Sequence, residues 1–179
     1  MHAVSRFANQ RAFAQCATAL CALAIIYAFT PVTHHHVRLD GNDLRGIAHV
    51  LDGDTLTISG VRIRLAGIDA PELAQQCHRT NGHRLQAGRM ARAALQRLVA
   101  GRQVRCHWHH RDQYDRVLAT CWVGGRNINR TMVSDGTAWA FLTYTSRYAK
   151  EEQSARKSRL GVWSADCMRA RRYRHQLAG

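Results

Sequence analysis

The polarity of the chain changes period several times, and each change predicts an element. From Ala12 to Thr33 no residue is charged, and the stretch from Ala19 to Phe29 is strongly apolar, which predicts an apolar helix. After a polar interval, Ile47 to Leu51 reads as a strand, Asp52-Gly53-Asp54 as a turn, and Thr55 to Ser59 as a second strand. Ser59-Gly60 turns the chain into a third run in which Val61, Ile63 and Leu65 alternate with Arg62 and Arg64. That period of two marks a half-buried strand with both arginines on its outer side. Ala87, Ala91, Ala94, Leu95 and Leu98 then fall on one stripe of a helix that Gly101 ends. Strands follow over 103–109 and 117–123, the second closed by Gly124-Gly125. Asn127 caps a short helix ending near Gly136, an extended run carries Trp139 and Phe141, and a last helix runs from about Arg147 to Leu160. Five short antiparallel strands with a helix between the third and fourth predict an α+β fold, a five-stranded OB-type β-barrel with about three helices.

This patterning divides the chain into an N-terminal segment 1–33, a linker 34–45, a folded domain 46–168 and a basic tail 169–179. Arg6 and Arg11 precede the apolar segment, and a cationic flank stays on the cytoplasmic side of a membrane. The domain is therefore expected outside the cytoplasmic membrane, anchored to it through this single contact. If the segment is cleaved as a signal peptide, the domain is periplasmic or secreted. Ala22-Leu23-Ala24 is the best cleavage sequence, but cutting there leaves Ile25, Ile26, Tyr27 and Phe29 at a new terminus, which favours the anchor. His34-His35-His36 reads as a solvated spacer.

Charge sharpens the picture. The 179 residues carry 26 Lys+Arg against 12 Asp+Glu, a formal net charge of +14, and every cation except Lys150 and Lys157 is arginine. With 46% hydrophobic residues the chain is neither a disordered tail nor a multispan membrane protein. A surface this basic favours polyanions, and the planar fork of arginine suits phosphate. The domain has four cysteines, Cys77, Cys106, Cys121 and Cys167, with no C-x-x-C pair to suggest zinc. Outside the cytoplasm they allow up to two disulfides, Cys106–Cys121 across a hairpin and, by elimination, Cys77–Cys167. Buried free thiols are the alternative. His107, His109 and His110 read as an exposed cationic edge. The run from Arg169 to Arg174 reads as a solvated end or a source of non-specific phosphate contacts.

Carboxylates are scarce, yet four of the twelve, Asp52, Asp54, Asp69 and Glu72, lie between positions 52 and 72. Such clustering calls for a cation, and a hard divalent ion with oxygen ligands is the natural one. An EF-hand is excluded, because Ile63 stands where its bidentate Glu is required.

Three blocks carry a specific resemblance. Asp52-Gly53-Asp54-Thr55, Arg64-Leu65-Ala66-Gly67-Ile68-Asp69-Ala70-Pro71-Glu72 and Asp112-Gln113-Tyr114-Asp115-Arg116, with Gly161-Val162-Trp163-Ser164 after the last helix, closely resemble the thermonuclease (staphylococcal nuclease-like) family in order and spacing. The resemblance spans about residues 46 to 168. It implies a Ca²⁺-dependent enzyme that cleaves phosphodiester bonds of DNA and RNA and leaves 3′-phosphates. It further implies that Asp54, Asp69 and the main-chain carbonyl of Ala70 hold the ion, and that Asp52 orients water around it. Glu72 would accept the proton of the attacking water, and Arg64 and Arg116 would clamp the phosphate. Tyr114 would bind a terminal phosphate and Tyr144 would stack on a base.

Departures from the family are local. Ala70 stands for the usual Thr, which a backbone ligand tolerates. Gln113 and Asp115 replace a usual Lys and Gly, so a carboxylate follows Tyr114 and precedes Arg116. A second stacking aromatic aligns with Leu142. The alternative function is a non-catalytic nucleic-acid-binding OB module, for instance in DNA uptake. Retention of Asp54, Arg64, Asp69, Glu72 and Arg116 favours the enzyme. The expected partners are nucleic acid alone, with the protein a monomer.

Overall fold

A computed structural model describes residues 41–179. The apolar segment, His34-His35-His36 and most of the linker lie outside the described residues. Among the described residues no helix is long and apolar enough to cross a membrane.

Five strands build the barrel: β1 (Asp43–Val50), β2 (Thr55–Ile58), β3 (Val61–Leu65), β4 (Gln103–Arg111) and β5 (Val117–Val123). They run in the order β3-β2-β1-β4-β5, and β3 closes on β5 in parallel through Ile63↔Val117, Arg64↔Leu118 and Leu65↔Ala119. The closing pair is the one parallel contact; the others are antiparallel. β1 is shared between two partners. Its first half pairs β4 from Asp43↔His107 to Ile47↔Gln103, and its second half pairs β2 from Ala48↔Ile58 to Val50↔Leu56. It starts inside the stretch read as linker, because Leu44 is buried opposite Cys106 and continues the inward face past Gly46.

Among the described residues four α-helices accompany the barrel: α1 (Ala87–Val99), α2 (Ile128–Ser134), α3 (Ala149–Lys157) and α4 (Ala170–Ala178). α1 lies between β3 and β4 in the chain and buries Ala87, Gly88, Ala91, Ala94, Leu95 and Val99, the apolar stripe of its sequence. Asn127 caps α2 by accepting from the Arg130 amide at 2.8 Å. The barrel interior and the inner faces of α1 and α2 form one core around Leu56, Ile63, Leu65, Leu95, Ile128 and Met132.

A smaller apolar cluster of Cys77, Ala87, Trp139, Val162 and Ala170 lies under the C-terminal segment. It accounts for α4, a helix where patterning predicts a basic tail: Ala170 is fully buried there and fixes the helix start. Both disulfides form, Cys106–Cys121 between directly opposed residues of β4 and β5 and Cys77–Cys167 just ahead of α4.

Candidate active site

The turn from β1 to β2 carries the first carboxylates. Asp52 Oδ1 accepts the Asp54 amide at 2.9 Å, the side-chain-to-backbone bond that short Asx turns use. Gly53 permits the turn to lie against its neighbours, since a Cβ there would be 2.7 Å from those of Ala70 and Ala91. Asp54 is thereby turned inward and is only 4% exposed. Its Oδ2 accepts the Ala70 amide at 2.9 Å, and its Oδ1 accepts Arg64 Nη1 at 2.7 Å and the Thr55 hydroxyl at 3.1 Å.

Arg64 reaches Asp54 because the β2–β3 register pairs it with Thr55. Its second nitrogen, Nη2, donates to Asp69 Oδ1 at 3.0 Å, so one guanidinium bridges two buried carboxylates. Asp69 is held in a two-residue strand, Ile68–Asp69, paired with Trp139–Ala140. Burial pushes the Asp69 carboxyl above its ordinary range, and Asp54 adds to the rise while Arg174 and Arg64 oppose it. Asp52 is raised in the same way, by burial and then by the charge of Asp54. Burial works against the charge of Arg64, but Asp54 and Asp69 together hold that charge more firmly than usual.

Glu72 stands beside this pair with its side chain 40% exposed. Its backbone is tied on both sides by Gln75, whose amide donates to the Glu72 carbonyl at 2.7 Å and whose Oε1 accepts the Glu72 amide at 3.2 Å. α1 packs directly onto this loop at Gly88, where a Cβ would come within 1.8 Å of the Glu72 carbonyl oxygen.

The β4–β5 hairpin brings Arg116 to the same cavity of about 1030 Å³, along with Asp52, Asp54, Arg64, Ala70 and Glu72. Asp112 orients Arg116, accepting its Nη2 at 2.7 Å and its Nε at 2.8 Å on Oδ2. Arg116 lies over the Tyr114 ring at 5.4 Å, and Tyr114 is 67% exposed. Tyr144 is 78% exposed at the rim and rests on Phe141 with ring centroids 4.9 Å apart.

A model of the family described as "Staphylococcal nuclease homologue" matches residues 62–165. The chain belongs to the staphylococcal nuclease homologue family. Membership places it in a class of nucleic-acid-hydrolysing enzymes. Among relatives, it is 37% identical over 123 residues to the succinoglycan biosynthesis protein ExoI of Rhizobium meliloti (strain 1021), covering 67% of this chain and 64% of that protein. It is 35% identical over 130 residues to an uncharacterized endonuclease of Escherichia coli, covering 68% and 78%. It is 34% identical over 140 residues to a micrococcal nuclease of Shigella flexneri, covering 68% and 75%. The chain thus spans about two thirds to three quarters of the length of these relatives.

Every site residue expected from the staphylococcal nuclease resemblance lines one cavity except Asp69, which reaches it through the bridging Arg64 and Arg174. Among the described residues no three His, Cys, Asp or Glu side chains converge into a cage. The donor set that the resemblance implies, Asp54, Asp69 and the Ala70 carbonyl, is sparser than such a cage; all of it is oxygen, which would suit a hard divalent ion that keeps several waters.

Three features lie beyond the sequence reading. Asp112, and not Asp115, is the carboxylate on Arg116; Asp115 is exposed, adopts a left-handed φ of 58° and pairs with Arg111. The cationic edge is split by a bulge between Trp108 and His110, so that His109 and His110 line the cavity while His107 meets Asp43 at 3.0 Å. Burial, with Arg147 and the other two histidines, pushes His109 below its ordinary pKa. The tail also enters the site: Arg174 on α4 donates to Glu72 Oε1 at 2.6 Å and to Asp69 Oδ1 at 3.1 Å, and the Arg171 amide donates to Asp69 Oδ2 at 3.2 Å. Arg171 contributes its backbone amide, which no side-chain spacing marks, and Arg174 is one of four arginines between positions 169 and 174, so the sequence carries no signal that singles it out.

Proposed function

We propose that the protein is a calcium-dependent endonuclease that hydrolyses phosphodiester bonds of DNA and RNA, leaves 3′-phosphate ends, and acts as a monomer outside the cytoplasmic membrane. The observation that carries this reading is the Arg64 fork on Asp54 and Asp69, with Glu72 and Arg116 facing the same cavity.

Asp54, Asp69 and the Ala70 carbonyl would hold the ion. When bound, calcium supplies Lewis-acid polarisation of phosphate oxygen and a fixed positive charge beside it. Asp52, next to Asp54, orients water in the site. Glu72 takes a proton from the attacking water as its oxygen bonds to phosphorus, a role typically worth 10² to 10⁴ in rate. The bond from phosphorus to the 5′ oxygen breaks, and that oxygen leaves as a hydroxyl after taking a proton from solvent. Arg64 and Arg116 donate to the non-bridging oxygens, where negative charge grows; each such donor is worth on the order of 3 kcal/mol. Tyr114 offers its hydroxyl to a terminal phosphate, and the Phe141–Tyr144 edge offers an exposed ring to a base.

The test uses purified full-length protein with supercoiled plasmid and with RNA, in calcium or in chelator. Cleavage in calcium alone is expected, with new 5′ ends that a polynucleotide kinase labels without prior dephosphorylation. Cleavage in chelator would overturn the calcium dependence, and no cleavage in calcium would leave the nucleic-acid-binding module as the reading. The outward location rests on Arg6 and Arg11 before the uncharged run from Ala12 to Thr33. It is tested by protease access to a C-terminal tag in cells stripped of their outer barrier; a tag protected until the inner membrane is lysed would overturn it.

A further inference from the structure

α4 makes three of the polar contacts to the proposed metal-and-base carboxylates. Asp69 offers about four lone-pair positions on its two oxygens. Three are taken: Arg64 Nη2 and Arg174 Nη2 both donate to Oδ1, and the Arg171 amide donates to Oδ2. The other end of the Arg174 fork covers Glu72 Oε1. A guanidinium thus spans the residue that would ligate the ion and the residue that would accept the proton.

From this geometry we infer that Arg174 is a resident counter-cation of Asp69 and Glu72, displaced when a divalent ion binds, so that α4 sets the metal affinity of the site. The inference rests on the calcium reading above. By this count one position stays free, on Oδ2, and an ion entering there meets the positive charge of Arg174 on the same carboxylate, where the repulsion is strong because Asp69 is buried. Arg174 itself can yield. Its side chain is 40% exposed, so the released guanidinium moves directly into water.

The root of α4 does not yield. Cys167 is bonded to Cys77, Gln75 Nε2 donates to the Met168 carbonyl at 2.6 Å, Arg169 pairs with the buried Glu152, and Ala170 is buried. Arg174 is therefore tethered within reach of its carboxylates and competes at a high effective concentration whatever the protein dilution. Gln75 strengthens the link, because the same side chain that holds Met168 also holds the Glu72 backbone.

The experiment is calorimetric titration of calcium chloride, without substrate, into the full chain and its variants. Arg174→Ala is expected to tighten the apparent calcium Kd about tenfold, which corresponds to about 1.4 kcal/mol. Arg174→Lys, whose ammonium cannot span both carboxylates with a planar fork, is expected to tighten it by less. Arg172→Ala, an exposed neighbour on the same helix, is expected to match the wild type. In the wild type, saturating calcium is expected to speed amide hydrogen exchange over residues 170–178. An Arg174→Ala Kd equal to or weaker than wild type would overturn the inference alone. Should that variant fold poorly, an Arg174→Lys Kd equal to wild type would do the same. No calcium binding by any of the proteins would overturn the calcium reading together with it.

Discussion

Arg116 and Asp112 form the most completely bonded ion pair at the site: the guanidinium meets Oδ2 through Nη2 at 2.7 Å and Nε at 2.8 Å, and the Arg116 amide meets Oδ1 at 3.0 Å. The Tyr114 amide also donates to Oδ1 at 2.9 Å. One carboxylate thus shapes the whole turn and aims the arginine that faces the cavity.

Asp112→Ala is expected to lose more activity than its distance from the reacting atoms suggests, because it frees both Arg116 and the turn. Charged hydrogen bonds of this kind are worth roughly 1.5 to 3 kcal/mol each. Burial alone would raise the Asp112 carboxyl, but the bonds from Arg116 and from the two amides outweigh it and hold it below its ordinary 3.8. A carboxyl lowered on folding adds stability above its unfolded pKa and loses it as pH falls through the folded one. The wild type should therefore lose this contribution only below about pH 4. Urea melts of both proteins at pH 7 and pH 3 check this; an equal gap at both pH values would refute it.

Glu72→Gln is expected to lower single-turnover cleavage by about 10² to 10⁴ while nucleic-acid affinity, read by fluorescence anisotropy, changes little. The substitution removes a proton acceptor and no phosphate contact. Wild-type turnover in this variant would mean that Glu72 is not the base.

Arg116→Ala is expected to cost roughly 10² to 10³ in kcat, and Arg116→Lys to recover only a small part of it. A lysine brings the charge without the planar fork that Asp112 orients. Full recovery by Lys would show that bulk charge is all the site requires.

Gly88→Ala tests the packing beneath Glu72. The new Cβ would meet backbone atoms, the Glu72 carbonyl oxygen at 1.8 Å and the Leu73 carbonyl carbon at 2.7 Å, which cannot turn aside as a side-chain end would. A loss of ~2 kcal/mol or more by denaturant unfolding is expected, with a fall in cleavage because the Glu72 loop is pushed from α1. Unchanged stability would show that α1 moves without cost.

Removal of the disulfides should be unequal. Cys77–Cys167 closes a sequence separation of 90 and Cys106–Cys121 one of 15, for which loop-closure entropy gives roughly 4.6 and roughly 3 kcal/mol. Paired Cys→Ser variants compared by urea unfolding check the order. The reverse order would show that packing of the buried Cys106 and Cys121 outweighs chain entropy.

The sequence by itself determined the barrel and the groups that enter its mouth. Val61, Ile63 and Leu65 face inward because alternation is a local property of an extended chain, and the stripe from Ala87 to Leu98 is local in the same sense for a helix. Asp52-Gly53-Asp54 and the run from Arg64 to Glu72 are likewise short blocks whose residues share a turn or a strand. Tertiary structure alone decided which charges meet. Asp112 and Asp115 flank the same tight turn, and only its left-handed residue at Asp115 sends one carboxylate to Arg116 and the other to Arg111. By its pattern the basic run from Arg169 to Arg174 reads as a solvated end or a source of non-specific phosphate contacts, since it holds a single aromatic among its arginines. It folds onto the site because Ala170 joins a buried cluster with Cys77, Ala87 and Trp139, residues far from it in the chain. Arg174 then reaches Glu72 and Asp69 across separations of 102 and 105 residues. Contacts at that range follow from how the whole chain closes, and no local pattern encodes them.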